Sequence, residues 1–160
     1  MILVILGTIK LEFSRILREI EENCMNNNIN SQIIVQSGYT NYNSKYFHTI
    51  PFLKLEDLNK AIETADLIIS HGGTGSIVNS IKKRKTVIAA VRYAEFGEHV
   101  DDHQMDIVSE LSKKGYIIPW YKEDELSKLL EIAREFKPKT YVSNKIKIIK
   151  FVDDYISKLK

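Results

Sequence analysis

A single cysteine, Cys24, in 160 residues excludes an internal disulfide and suits a reducing compartment. Cys24 falls on the apolar face of the first predicted helix, where a small buried hydrophobe is expected and not a nucleophile. No apolar run approaches the roughly 20 residues that a membrane-spanning helix needs. The opening Met1–Leu6 run is short, lacks a basic flank and leads into Gly7 and charged residues, so it reads as a first strand and not as a secretory leader. Repeats, low-complexity tracts and interdomain linkers are missing as well. The net charge of +2 argues neither for nor against nucleic acid, and none is expected as a partner. What is present, 44% apolar and 28% charged residues, belongs to one globular domain with a proper core.

Charge is unevenly placed. From Lys137 onward there are seven lysines against two aspartates, a local +5, which leaves the preceding part net negative by three. Ile148, Ile149, Val152, Tyr155, Ile156 and Leu159 recur at helical spacing. Residues 137–160 are therefore expected to form a basic amphipathic helix docked on the 1–136 domain, after a joint at Lys137-Pro138-Lys139. Contact with anionic lipid or with a partner chain is the functional alternative.

Apolar runs alternate with amphipathic stretches along the rest of the chain. Strands are predicted at 2–6, 32–36, 66–70, 86–91 and near 116–119, with a short extended piece around 47–52. Helices are predicted at 11–24, 55–64, 74–83, 101–113 and 123–135. This order gives βαβ units, hence an α/β fold, a Rossmann-like parallel sheet with helices on both faces. Ligands in such folds sit outside the carboxyl ends of the strands. Gly7-Thr8, Ser37-Gly38-Tyr39-Thr40, Ser70 to Ser76 and Arg92 to Gln104 all follow strands, so every polar constellation lies on one rim.

The richest of these is Ser70-His71-Gly72-Gly73-Thr74-Gly75-Ser76, where an apolar strand runs through three glycines into a helix. Bare backbone N–H groups and a helix N-terminus meet there and favour an anionic group. The Gly-x-Gly-x-x-Gly spacing of dinucleotide binding is missing, and so is the lysine of a Walker loop. Capture of a phosphate or diphosphate remains, with Thr74 and Ser76 hydroxyls assisting; the structural alternative is a tight turn needed for packing. His71 has two readings, a donor to a phosphate or ring oxygen and a hydrogen-bonded structural histidine. The second constellation is Glu98, His99, Asp101, Asp102, His103 and Gln104. His99 and His103 share i, i+4 spacing, yet residues 97–100 are expected to precede the helix, and no metal site is assigned. One of Asp101 and Asp102 is expected to cap the helix. Lys82 to Lys85 read as a helix end meeting its dipole, without chemistry.

These residues resemble a family, the glycosyltransferase family 28 C-terminal domain. The likeness is strongest to its short stand-alone branch, which includes PssE-type exopolysaccharide subunits and the catalytic subunit of the dolichol-linked N-acetylglucosaminyltransferase. Ile5-Leu6-Gly7-Thr8, Val35-Gln36-Ser37-Gly38, Asp66 to Ile77 and Gly97 to Gln104 carry the resemblance, over about residues 1–120. It implies the C-terminal, donor-binding half of a GT-B glycosyltransferase. Such an enzyme moves a hexose from a UDP-sugar to a polyprenyl-diphosphate-linked acceptor, with no metal or other cofactor. By the resemblance the 72–76 loop faces the diphosphate and Asn79 the ribose, where longer relatives carry a glutamate. Asp102, His103 and Gln104 meet the donor sugar. Gly7, Thr8, Gln36, Gly38, His71 and Arg92 complete the substrate contacts, and Glu98 and His99 are the candidate bases. One Rossmann-like half implies a second polypeptide, a membrane-anchored PssD-type subunit holding the chain at the cytoplasmic face of the membrane. A non-catalytic nucleotide-sugar-binding module and a homodimeric transferase are the alternatives.

Overall fold

Successive residues of β1 (Ile2–Ile5) feed two different cores. Ile2 and Val4 pack on one face of the sheet, and Leu3 and Ile5 on the other. A strand without a polar face suits a sheet covered on both sides. The same alternation holds in β4 (Leu67–His71) and β5 (Thr86–Ala90), where Ile69, Ile88 and Ala90 join the first core and Ile68, Val87 and Ala89 the second. The computed structural model describes residues 1–101, 103–143 and 145–158. With β2 (Ile33–Gln36), β3 (His48–Ile50) and β6 (Ile118–Trp120), these strands form one parallel sheet in the order β3-β2-β1-β4-β5-β6. Pro119 has no N–H to give and sits in β6, an edge strand, where that costs no ladder bond on the open side.

Helices α1 (Ser14–Met25) and α5 (Leu126–Glu135) cover the first face through Ile16, Leu17, Ile20, Leu126, Leu129 and Leu130. The second face is covered by α2 (Leu55–Thr64), α3 (Thr74–Lys82) and α4 (His103–Lys113), through Ile62, Ile77, Ile81 and Val108. The α/β architecture expected from the sequence is the one observed.

Three helices start later than their periodicity suggests, each because a polar group claims the chain first. The Phe13 N–H donates to Thr40 Oγ1 at 3.0 Å, which holds Phe13 outside α1. The His103 N–H donates to Asp101 Oδ1 at 3.2 Å, so Asp101 takes the capping role at α4. Asp124 accepts from the Tyr121 N–H at 2.7 Å and makes a turn ahead of α5.

The expected docking of the tail is not observed. Helix α6 (Lys145–Ser157) forms, but none of its described residues is buried, and Ile148, Phe151 and Tyr155 are 61%, 72% and 60% exposed. Both sheet faces already carry their helices, so no uncovered core awaits it. The chain before it is fixed where the Lys139 N–H meets the Gly115 carbonyl at 3.0 Å and Tyr141 packs edge-on against Tyr116.

Candidate active site

Strands β1 and β4 are neighbours at the centre of the sheet, and strands are added outward from them in opposite directions. Their carboxyl ends therefore frame the switch point at which open α/β sheets receive ligands. Gly7 lies at one side of this crevice, with φ +81°, and the turn from His71 into α3 lies at the other.

His71 spans the two sides. Its Nδ1 is 3.2 Å from the Ile5 carbonyl oxygen, an acceptor, so Nδ1 carries the proton and Nε2 presents a lone pair. Burial lowers its pKa to about 4, which leaves the ring neutral near pH 7. A neutral ring in this tautomer accepts at Nε2 and does not donate. The donor role suggested for His71 is therefore not what this geometry offers.

The glycines separate into two kinds. A Cβ at Gly73 would overlap the His71 ring, and one at Gly7 would come within 2.7 Å of it. At Gly72 a Cβ would stand 2.9 Å from Gln104 Oε1 and 3.1 Å from Val108. These three positions are small so that neighbouring side chains fit. Gly75 meets nothing within 4 Å and is exposed. It lies in the first turn of α3, whose N-cap, Gly73, offers no side chain, and whose first backbone bond is Ile77 N–H to Gly73 O at 3.3 Å. The first-turn N–H groups of Thr74, Gly75 and Ser76 thus face the rim without intrahelical acceptors. Thr8 and Thr74 are exposed beside them, and the Ser76 hydroxyl donates to the Gly73 carbonyl at 3.3 Å.

Several expected contacts turn inward. Gln36 is 5% exposed at the end of β2, and Gly38 is buried with φ +59°, its α-carbon so close to the Gly7 carbonyl that a Cβ would overlap it. Both are buried instead of open on the rim. Arg92 is 1% exposed and donates to the carbonyls of Leu6, Leu11, Glu12 and Glu98 at 2.7, 3.3, 3.4 and 2.9 Å. Its Nη1 and Nη2 are spent on backbone, its buried Nε has no partner among the described residues, and the group stands 4.3 Å over the Phe13 ring, so it is not open to a ligand. Burial brings its pKa down to about 10, still charged at neutral pH. Gln104 is also buried, and its Oε1 accepts the Arg92 N–H at 3.4 Å. The Asn79 amide nitrogen donates to Asn59 Oδ1 at 2.9 Å.

Glu98 is the clearest correction. Its side chain is 5% exposed, and its carboxylate accepts from Arg15 Nε at 2.9 Å, Arg15 Nη2 at 3.0 Å and the Tyr93 N–H at 3.1 Å. A general base needs a lone pair that an acceptor hydroxyl can reach, and a buried carboxylate that already accepts three hydrogen bonds is poorly placed for that task. His99 and His103 do stand together, rings 4.8 Å apart and edge to face, with Asp101 between them. The His103 ring is bonded to the Asp101 carboxylate, and the Asp101 N–H reaches His99 Nδ1 at 3.3 Å. Ligating atoms of these three residues all lie within 4.8 Å of one another, so among the described residues this is the group that could hold a metal ion. Asp102, expected at the donor sugar, lies outside the described residues.

Sequence reasoning gave no role to Arg15, which no motif marks, or to the exposed pair Tyr39 and Phe52, whose rings meet edge-on at 5.2 Å. The available signal for the pair was position alone, since each follows a strand on the rim. At the opposite end of the sheet, a cavity of about 410 Å³ near Asn28, Asp66, Thr86 and Arg134 gathers no comparable set.

A parallel sheet of this order, with an uncapped helix and an open glycine at the switch point, defines a Rossmann-like domain. The chain belongs to the glycosyltransferase family 28 C-terminal domain, whose model matches residues 1–159. It is 38% identical over 77 residues to the UDP-N-acetylglucosamine transferase subunit ALG13 of Candida albicans, a match over 48% of this chain and 25% of that protein. The corresponding subunit of Yarrowia lipolytica is 30% identical over 83 residues, 51% of this chain and 40% of that protein. The matches thus span two-fifths or less of these curated relatives. In fold the chain is similar to the solution structure of ALG13, with a TM-score of 0.62 and 19% identity, covering 94% of this chain and 93% of that one. The kitacinnamycin glycotransferase gives 0.61 and 11%, over 85% of this chain and 34% of the larger protein. The fold is that of the Rossmann-like half of a GT-B glycosyltransferase.

Proposed function

We propose that this chain is the donor-binding, catalytic subunit of a two-component glycosyltransferase that moves a hexose from a UDP-sugar to a polyprenyl-diphosphate-linked acceptor. The observation that carries the reading is the uncapped N-terminus of α3, with open Gly75, at the β1/β4 crevice of a family 28 domain. Bare N–H groups and the helix dipole there would hold the diphosphate and stabilise the charge on departing UDP without reorganising. No metal is needed for that step. The Tyr39 and Phe52 rings, both 49% exposed, offer a surface on which the uracil can stack. Asn79 Oδ1 serves the ribose and His103 the sugar. We assign acceptance of the acceptor's proton to the imidazoles at the rim, His99 first.

The context proposed is exopolysaccharide or capsule synthesis at the cytoplasmic face of a membrane, with a membrane-anchored PssD-type partner supplying the acceptor half of the cleft. Among the described residues no helix is long and apolar enough to cross a membrane. The relatives' designation as subunits supports a partner.

Titration of the 15N-labelled chain with UDP tests the donor site, with saturable shifts expected at the Thr74, Gly75 and Ser76 amides. An unchanged spectrum at millimolar UDP would remove the reading. Turnover by the chain alone, at low concentration and without the partner, would remove the two-component claim.

A further inference from the structure

Two loops flank the glycine turn without sharing a strand pair, the one after β1 and the one after β5, because β4 lies between them. Something must fix their separation if Gly7 and His99 are to meet one ligand. Arg15, in the first turn of α1, reaches across to do this. Its Nη2 donates to the Val91 carbonyl at 3.0 Å, where β5 ends, and its fork grips both oxygens of Glu98. The guanidinium carbon is 5.5, 5.6 and 5.5 Å from the rings of Phe13, Tyr93 and Phe96, so aromatic faces hold it on several sides. Glu98 is held equally well by its backbone. Its N–H donates to the Tyr93 carbonyl at 3.1 Å, and its own carbonyl accepts from Arg92 Nη1 at 2.9 Å. His99 is the next residue, so its place follows from how Glu98 is seated.

We infer that Arg15 and Glu98 form a clamp that sets the position of the 97–103 segment against the loop after β1, and that Glu98 is a positioning residue. The inference rests on the proposed transferase reading only for its consequence in turnover. A bidentate, desolvated Arg–carboxylate pair fixes direction as well as distance. Such pairs are weak evidence for stability but well suited to specifying one arrangement. The pair is 83 positions apart in the chain and lines a cavity of about 390 Å³ with Ser14, Arg18 and Phe96, so the clamp borders open space at the rim.

The variants Glu98→Gln, Arg15→Met, their double combination and Arg15→Lys decide the matter. The readouts are imidazole 1H–15N spectra of His99 and His103, UDP affinity of the full chain, and turnover with the partner across pH. For a clamp, Glu98→Gln and Arg15→Met shift the His99 signals alike and lower kcat by roughly tenfold or less, with UDP affinity within about threefold. The double variant is then no worse than the worse single one, because residues in one contact do not add. Arg15→Lys, which keeps the charge and loses the fork, recovers only part of the effect. It also serves if Arg15→Met does not fold. A loss of 10²–10⁴ in Glu98→Gln alone, with the acidic limb of the pH profile removed, would make Glu98 the base and overturn the clamp. Unmoved His99 signals in every variant would reduce the pair to a structural ion pair and overturn it equally. If UDP fails to bind the wild-type chain, the transferase reading falls, while the histidine spectra still report on the clamp.

Discussion

The His71 imidazole is hydrogen-bonded to the Ile5 carbonyl, at 3.2 Å, across the central pair of strands. That bond fixes the tautomer, and burial holds the ring's pKa at about 4 against an ordinary 6.5. Between these values the unfolded chain binds a proton that the folded chain refuses, so stability rises with pH there. The contribution is complete above pH 6.5 and is lost as pH falls toward 4, by at most about 3 kcal/mol. Urea midpoints measured from pH 7.5 to 4 should fall accordingly, and a His71→Asn variant should show a flatter slope. Equal slopes in both proteins would show that His71 is not the titrating group.

Alanine substitution should sort the glycines into the two kinds seen in the structure. Gly73→Ala and Gly38→Ala would each overlap a fixed neighbour, and at Gly38 φ is +59° as well, so both should lower the melting temperature by several degrees. Gly75→Ala meets no obstacle and lies in a helix, where the exchange stabilises by about 0.5–1 kcal/mol. UDP affinity is expected to fall at least tenfold in Gly75→Val while the melting temperature holds. Loss of the fold in Gly75→Ala would contradict the assignment.

Arg92 carries four carbonyls on one buried guanidinium. Its replacement by methionine leaves these acceptors without partners and should cost about 3–5 kcal/mol. Lysine, with one nitrogen, should recover less than half of that. Chemical denaturation of the three proteins is the measurement, and a loss under 1 kcal/mol in Arg92→Met would show that water replaces the guanidinium there.

Helix α6 buries nothing of itself, so the chain cut after Tyr141 should fold as before. Its melting temperature is expected within about 2 °C of the full chain, and the α6 amides of the full chain should exchange with solvent without protection. A drop beyond 5 °C would place the helix on the domain after all.

Sugar transfer, once reconstituted with the partner, should survive EDTA unchanged, since the proposed charge stabilisation comes from α3 and its backbone. Activity abolished by EDTA and restored by a divalent ion would instead assign the His99, Asp101 and His103 group to catalysis.

Much of this architecture is legible without the fold. Short apolar runs at 2–6 and 67–69, each followed by a glycine-bearing turn, read as strands covered on both faces, and the periodicity of 55–64 marks α2 with the bounds observed. The rim follows from that alternation, because each polar cluster comes directly after a strand. The glycine cluster and the Gly97 to Gln104 segment carry enough local pattern to indicate the family.

What only the tertiary structure decided is which way the polar residues face. Gly73 is small because of His71 and Gly72 because of Gln104, while Gly75, the third glycine of that turn, is open, and these three differ in what lies opposite. Arg92 reads as a substrate contact and Glu98 as a candidate base in the sequence, and both are buried in the fold, the latter gripped by Arg15 at a distance of 83 positions. The tail shows helical periodicity but no surface to receive it. Periodicity is a local property, set within a turn or a strand, so the chain displays it directly. The task of a polar side chain depends on the dielectric and the partners that remote segments bring to it, and those exist only after the sheet has closed.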